Sequence, residues 1–452
     1  MNSSSEFKNS RKPLTVSFLT LGLALVLRLC LMPIALHPDL LAIQYYTSLL
    51  WTEGVWDFYG SWWGKMNLEY FGITFYPPLA YYLIAFSHGI SCLFSPSFIR
   101  IMGDYHALFL QNPQIDAVKF FARHALNDRL WFTFWSKWLY LLVDCLSFGV
   151  FALFFKDSAE RRLQFQKAWL WSPVLLFSTY IFGQYRILPA FFMILILVFL
   201  SHRKLVPAFF CLGCLALLDH YPWPLFIPYF LIFIKNDRTS IYSLIALAAP
   251  LILVLSPLAI SSRGQVAYAY ASPLYVKLAM TGIVNAGGVW TAQLTRFLMA
   301  LGYGALLAGL WKFRKAGFSG SWDQKLNLSV DATLCVLLLI YATGRTSTHY
   351  FMWILPFWIY RHTLGVPWPK MLSVLAVGLL FFFNLDNREL NMGLFIPLNP
   401  EYFMSLPSLH EIMAPYVPWG KFIGVARVCF SFLCLFFVYR ICRESLQKTH
   451  IK

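Results

Sequence analysis

The chain has 452 residues, of which 59% are hydrophobic and only 12% are charged, and its mean hydropathy is +0.61. Soluble domains carry about 25% charged residues, so this composition excludes a water-soluble enzyme, a disordered chain and a coiled coil. It indicates a polytopic membrane protein. The formal charge of +16 is attributed to cytoplasmic loops under the positive-inside rule, and no nucleic-acid partner is expected.

The first apolar run, from Leu14 to Leu36, follows Lys8, Arg11 and Lys12. It is longer than the apolar part of a signal peptide and lacks a clear cleavage site, which predicts a retained signal anchor after a cytoplasmic N-terminus of residues 1–13. The recurring apolar runs predict an all-α transmembrane helix bundle of roughly 11–13 spans. They are residues 14–36, 78–94, 131–155, 169–182, 187–201, 206–218, 224–234, 241–260, 292–311, 329–343, 350–361, 368–385 and 420–439.

The polar breaks after residue 156 alternate in charge. Six of them hold 18 Lys and Arg residues, whereas the opposite set holds 5, which predicts that the basic set is cytoplasmic. The acidic loop 37–77 is then expected on the other, outer face. If 78–94 and 131–155 both crossed, loop 156–167 would be outside, against its charge. Either a run in this region does not cross, or the amphipathic stretch from Tyr105 to Leu126 re-enters or lies at the interface.

The nine cysteines lie mostly inside apolar runs and are predicted to be buried packing residues. Cys211 and Cys214 have CxxC spacing, but no second pair or histidine accompanies them. Neither a disulfide framework nor a metal site is predicted.

The segment from His37 to Leu79 is the first candidate site. Asp39 directly follows the first span, and a carboxylate there could accept a proton from an acceptor hydroxyl. Asp57 lies in the same loop, which ends at Tyr76-Pro77-Pro78-Leu79. The alternative interpretation is that Asp39 only caps the helix that follows and that the two prolines only begin a helix.

Two further candidates lie in and between apolar runs. Lys137 and Asp144 are seven residues apart and share a helix face, which favours a structural ion pair or network over a phosphate-binding role for Lys137. Arg186 follows Phe182-Gly183-Gln184-Tyr185 and suits a phosphate, although a snorkelling interfacial arginine fits equally well.

The last candidates are two late polar breaks. Asp219 and His220 begin a Pro-rich turn that offers a carboxylate and an imidazole, or is an ordinary connection. Arg345 and His349 are four residues apart, so a helical turn would place both cations on one face, where they could neutralise a phosphate. The alternative is an anchoring arginine and a hydrogen-bonded histidine.

In their order along the chain, these pieces resemble the GT-C superfamily of membrane glycosyltransferases, which use polyprenyl- or dolichyl-phosphate sugars. The chain is most similar to bacterial mannosyltransferase-like proteins related to GPI mannosyltransferases. The resemblance covers roughly residues 14–235 and 344–356, about half of the chain. It implies a catalytic module over 14–235 that includes outer loop 37–77, a second transmembrane module over 236–440 and a cytoplasmic tail over 441–452.

The resemblance also implies roles for single residues. Asp39 takes the place of the catalytic carboxylate and would act as general base. Arg186 stands where relatives have an acid, and Asp219-His220 stand where many have a lysine, which indicates an altered phosphate site. The implied donor-phosphate ligands are Arg345, His349, Arg186 and Lys137, and the implied substrate-binding residues are Asp57, Tyr76, Gln184, Asp219 and His220.

The activity implied is transfer of a mannose-like hexose from a polyprenyl-phosphate sugar to a lipid-linked glycan or other acceptor on the non-cytoplasmic face. No cofactor is required, because cationic side chains can stabilise a single leaving phosphate, although Asp39 and Asp57 are compatible with a divalent cation. The membrane is a bacterial inner membrane or the endoplasmic reticulum. The alternative function is a multi-pass transporter or lipid flippase with Lys137, Asp144 and Asp219 along its path.

Overall fold

A computed structural model describes residues 16–52, 76–111, 117–219, 221–235, 237–260, 288–315, 320–344, 348–366 and 392–450. Over these residues the chain is helical and contains no strand, in agreement with the predicted all-α class. The helices form a bundle around one apolar core.

Six helices make up the first part of the chain. They are α1 (Phe18–Ile34), α2 (Pro38–Thr52), α3 (Pro78–Phe94), α4 (Pro96–Gln111), α5 (Ala117–Ala122) and α6 (Leu126–Trp135). Pro38, Pro78 and Pro96 each occupy the first position of a helix, where the missing N–H costs no intrahelical bond. The Tyr-Pro-Pro-Leu motif is thus a helix start, as predicted.

The remaining helices lie between residue 138 and the end of the described chain and vary widely in length. They are α7 (Trp138–Phe154), α8 (Ala159–Leu170), the π-helix Leu176–Ile181, α9 (Ile187–Ser201), α10 (Leu205–Ala216), α11 (Phe226–Phe233), α12 (Arg238–Ile260), α13 (Gly288–Lys315), α14 (Trp322–Thr343), α15 (Leu355–Thr363), α16 (Pro400–Ser405), α17 (Leu409–Met413) and α18 (Trp419–His450).

By length and composition, four described helical segments can each cross a membrane, and a fifth crossing results if the bent pair α3 and α4 is one span. The four are Leu126–Phe154, Arg238–Pro257, Trp322–Thr343 and Trp419–Ser445. Helices α1, α9 and α10 are apolar but shorter, as is the segment Trp223–Phe233. The chain therefore has the helices of a multi-pass membrane protein, and the larger number of spans stays a prediction.

The bundle has two chemically different ends. At the basic end, the Trp322 indole donates to the Leu200 carbonyl, and Arg361 pairs with Asp331. The Ser445 hydroxyl also donates to Asp331, at 2.8 Å. The described breaks of the predicted cytoplasmic set lie at this end.

The other end, which we term the site end, carries the polar breaks that were predicted on the outer face. Both termini of α3 lie here. Leu79 N–H donates to the Leu217 carbonyl at 3.1 Å, and the Ser91 hydroxyl donates to the Trp135 carbonyl at 3.0 Å. Helix α4 turns from α3 by 120° and packs on α6 through Phe98. Helices α2, α3 and α4 thus pack together at one end of the bundle, where they meet α6, the first part of the candidate span Leu126–Phe154.

The bundle exposes apolar side chains on its outer surface, as expected for contact with lipid. All nine cysteines are free in this structure. Their predicted burial is wrong for Cys30, Cys145 and Cys429, which are exposed. Since the solvent of a transmembrane helix is as apolar as its core, an apolar run does not distinguish the two faces.

Candidate functional site

Lys137 lies directly before α7 and is fully buried, with 0% of its surface exposed. Its ammonium donates to the carbonyls of Met32 at 3.1 Å, of Tyr180 at 2.7 Å and of Ala35. An ammonium group has three N–H donors, so these contacts use all of them. Lys137 thereby ties the end of α1 to the π-helix, and the predicted pairing with Asp144 is not made.

Asp144 instead belongs to a network that joins four elements, namely α1, α7, α8 and the π-helix. Its carboxylate accepts hydrogen bonds from Arg28 Nε at 2.6 Å, from the Tyr180 hydroxyl at 2.6 Å and from Trp169 Nε1 at 2.7 Å. Arg28 also donates to the Ala24 and Leu170 carbonyls, both at 3.1 Å. This is the network with other helices that the sequence predicts for Asp144. Because buried charges in a membrane need such partners, the network has a structural role.

The chain turns sharply after the π-helix at Gly183, whose φ is +72°. A Cβ at this position would lie 2.9 Å from Lys137 Cε and 3.1 Å from Leu40 Cδ2. Only glycine combines this backbone conformation with such close contacts. The turn therefore lies directly against the start of α2.

Phe182, at the same turn, contacts two imidazoles. The His37 ring stacks on it with centroids 3.9 Å apart, and the His349 ring lies at 4.8 Å. Burial lowers the pKa of the His349 imidazole well below its ordinary value, and the nearby Arg186 and His37 lower it further. His349 is then a neutral hydrogen-bonding group at pH 7, whereas the sequence predicts a cationic one.

Arg186 and Asp219 form an ion pair between the start of α9 and the end of α10. Arg186 Nη1 donates to Asp219 Oδ2 and, at 2.7 Å, to the Tyr185 hydroxyl. The two charged residues are 0% and 1% exposed. Arg186 is therefore not the snorkelling interfacial arginine that was one interpretation of the sequence, because its guanidinium lies inside the protein.

Four aromatic rings surround the Arg186 guanidinium, and we term them the aromatic wall. The distance from Cζ to the ring centroid is 4.5 Å for Tyr185, 4.7 Å for Tyr350, and 5.4 Å for both Tyr76 and Trp353. Cations are attracted to aromatic faces at these distances, most strongly where water is excluded. The wall combines residues from three separate stretches of the sequence, since Tyr350 and Trp353 are neighbours.

Three buried polar atoms around this pair have no hydrogen-bond partner among the described residues. They are the Tyr140 hydroxyl, Trp353 Nε1 and His349 Nδ1. Trp353 belongs to the aromatic wall, the His349 ring lies 4.2 Å from that of Tyr350, and Tyr140 lies in the first turn of α7, where its N–H donates to the Lys137 carbonyl at 2.9 Å. Native proteins rarely leave such atoms unpaired, so their concentration here indicates a place for a polar ligand or water.

The structure brings five of the predicted site residues together at the site end. Arg186 and Asp219 form the ion pair, Tyr76 belongs to the aromatic wall, and His349 contacts the wall through Tyr350. Gln184 is buried in the turn that leads to Arg186. Asp39 is in the first turn of α2 and not at its N-cap, because the helix already begins at Pro38. The Asp39 side chain lies outside the described part of the chain, as do Asp57, His220 and Arg345.

Sequence reasoning missed several members of the site. Arg28 is a single charge within the first apolar run, and intramembrane charges usually need a partner, so this signal was present. His37 stands in the polar His-Pro-Asp sequence that had drawn attention only to Asp39. Tyr140 and Trp353 gave no signal, because aromatic residues within apolar runs are common in membrane helices.

Among the described residues, no group of three His, Cys, Asp or Glu side chains could hold a metal ion. What these residues do provide is an ion pair, a neutral imidazole and aromatic surfaces in a buried setting. Comparisons of the chain with family models, curated proteins and solved structures give no match.

Proposed function

We propose that the protein is a membrane glycosyltransferase that moves a mannose-like hexose from a polyprenyl-phosphate sugar to an acceptor on the non-cytoplasmic face. One observation carries the proposal. Polar breaks that are hundreds of residues apart converge around Arg186, at the end of the bundle opposite the basic loops. The breaks concerned are 37–40, 76–79, 182–186, 219–221 and 349–353.

Asp39 is the proposed general base. It stands in the chain between His37, which stacks on Phe182, and Leu40, which contacts Gly183. The first turn of α2 therefore lies beside the turn that leads to Arg186. A carboxylate in this place would accept the proton of the acceptor hydroxyl as that oxygen attacks the anomeric carbon. The leaving lipid phosphate would be stabilised by Arg345 and by a hydrogen bond from neutral His349.

Transport is the competing function, and it would need charged groups that can bind and release a substrate or ion. Two of the three charges that suggested it are held in place. Lys137 donates to three carbonyls, and Asp144 accepts three hydrogen bonds. Because the hydrogen-bonding capacity of both groups is used within the protein, a structural role is favoured. This weighs against a substrate or ion pathway along α7.

The first prediction concerns Asp39→Asn. We expect at least a 100-fold slower release of polyprenyl phosphate from polyprenyl-phosphate mannose, since a general base contributes about 10²–10⁴-fold to rate. The assay uses the purified full chain in proteoliposomes that contain an extract of host membrane lipids as the acceptor source.

Asp128→Asn is the matched control. Asp128 is also a carboxylate at the site end, but it pairs with Arg100 on the surface, and its loss should change the rate less than twofold. An Asp39→Asn protein with full activity removes Asp39 from the mechanism. Lipid scrambling by the wild-type chain without any glycosylated product would instead support the flippase alternative.

A further inference from the structure

The ion pair at the site end is electrically neutral as a unit. Asp219 and Arg186 are buried together, and their opposite formal charges cancel within one hydrogen-bonded contact. A phosphate that approached Arg186 would meet the Asp219 carboxylate at the same guanidinium, and two anions in a buried site repel each other strongly. The pair is therefore better suited to a neutral ligand than to the phosphate that the sequence predicts for Arg186.

The same pair offers both kinds of hydrogen-bonding group. A carboxylate accepts from hydroxyl groups and a guanidinium donates to them, and both are stronger partners than neutral groups. The aromatic wall adds apolar surface beside them, formed by Tyr76, Tyr185, Tyr350 and Trp353. Binding sites for small molecules typically combine such apolar surface with a few fixed polar groups.

The unpaired atoms match a ligand that carries several hydroxyl groups. The Trp353 indole can only donate, whereas the Tyr140 hydroxyl and a neutral His349 imidazole can donate or accept. The side chains that carry these atoms are 0%, 1% and 5% exposed, respectively, so bulk water does not reach them. Since none of the described residues pairs with them, a polyhydroxylated ligand would satisfy them without breaking a hydrogen bond of the described part of the chain.

We propose that the Arg186–Asp219 pair, its aromatic wall and the unpaired atoms of Tyr140, Trp353 and His349 form the subsite for the neutral hexose ring of the donor. The inference rests on the proposed function, since it deepens the identity of that same site. It moves Arg186 from the phosphate to the sugar. The phosphate is left to Arg345, and His349 lies at the border between the sugar and the phosphate.

The test measures binding and needs no turnover. The purified chain in nanodiscs is titrated with short-chain polyprenyl phosphate and with the same lipid carrying mannose, glucose or galactose. We expect at least one of the glycosylated lipids to bind at least tenfold more tightly than the bare lipid phosphate. Tyr140→Phe and Trp353→Phe should each reduce this advantage at least fivefold and change the affinity for bare polyprenyl phosphate less than twofold.

Two comparisons guard against a general effect on folding. Neither substitution removes a hydrogen bond among the described residues, so the thermal midpoint should stay unchanged in Tyr140→Phe. Trp353→Phe leaves a small cavity in place of a fully buried indole and should lower the midpoint moderately. Tyr229→Phe is the matched control. Its buried hydroxyl does have an internal partner, Thr333 at 3.2 Å, so this variant should be less stable and bind all four lipids normally.

The sugar subsite is overturned if none of the three hexoses improves on the bare lipid phosphate. It is also overturned if the two variants weaken bare and glycosylated lipids equally, as expected of a phosphate site. Preferential binding of a glycosylated lipid by a chain that never transfers the sugar would support the subsite and contradict the glycosyltransferase proposal.

Discussion

Gly183 is the residue on which the contact between the π-helix turn and the start of α2 depends. Its φ of +72° and the 2.9 Å approach of an added Cβ to Lys137 Cε are two separate obstacles to substitution. We predict that Gly183→Ala destabilises the protein by about 1–2 kcal/mol through the backbone and by about 1–3 kcal/mol more through overpacking. Thermal unfolding in detergent micelles measures the sum.

Gly365→Ala separates the two obstacles. Gly365 has a similar φ of +78° but no heavy atom within 4 Å of an added Cβ, so only the backbone cost applies. Equal destabilisation by both substitutions would show that Lys137 moves away freely, and the close contact would then carry no weight in positioning α2.

At the residue scale, the sequence identified charged groups better than their partners. Arg186, Asp219 and His349 attracted attention because polar residues between apolar runs stand out, and the structure places the three close together. Their mutual arrangement depends on contacts across 33 residues for the ion pair and across 171 for the Ser178 hydroxyl and the His349 carbonyl. Local spacing contains no information on such contacts, and thus the pairing of Arg186 with Asp219 was not predicted.

At the scale of helices, the Arg28–Asp144 network joins α1, α7, α8 and the π-helix. Removal of one partner from a buried ion pair typically costs about 3–5 kcal/mol, whereas replacement of both by apolar residues costs much less. We therefore predict that Arg28→Met strongly destabilises the chain and that the Arg28→Met/Asp144→Leu double variant recovers most of the loss. Titration with SDS in mixed micelles measures the unfolding free energies.

The surface pair of Arg100 and Asp128 provides the comparison. The Arg100 side chain is 57% exposed, and exposed pairs contribute less than about 1 kcal/mol, so Arg100→Met should be nearly neutral. If Arg28→Met were as mild as Arg100→Met, the network would not hold α1 against α7.

Helix positions were predicted well where apolar runs were long, and less well where proline or glycine interrupts them. The run 187–201 coincides with α9. The run 169–182, in contrast, comprises the end of α8, a turn at Pro173 and the π-helix Leu176–Ile181. Hydropathy reports burial in lipid or protein but does not report the local helix type, and a π-helix forms here directly before the turn that leads to Arg186.

For the whole molecule, the contacts of α3, α4 and α7 bear on the predicted number of crossings. The sequence left open which run between residues 78 and 130 does not cross. Both ends of α3 contact elements of the site end, and α4 folds back at 120°. Helix α7 then starts at Lys137 on the site end and runs to the basic end, where Phe154 contacts Tyr360. Loop 156–167 is thereby placed with the other basic loops, as its charge requires.

The last prediction tests this arrangement by labelling of single cysteines in intact cells or sealed vesicles. Arg100, in α4, and Glu160, at the start of α8, are both exposed. With a membrane-impermeant maleimide, Arg100→Cys should react from the non-cytoplasmic side and Glu160→Cys only after permeabilisation. The wild-type chain, whose nine cysteines are free, supplies the background signal. If α3 crossed the membrane instead, both positions would exchange sides, and the site end would no longer be one face of the membrane.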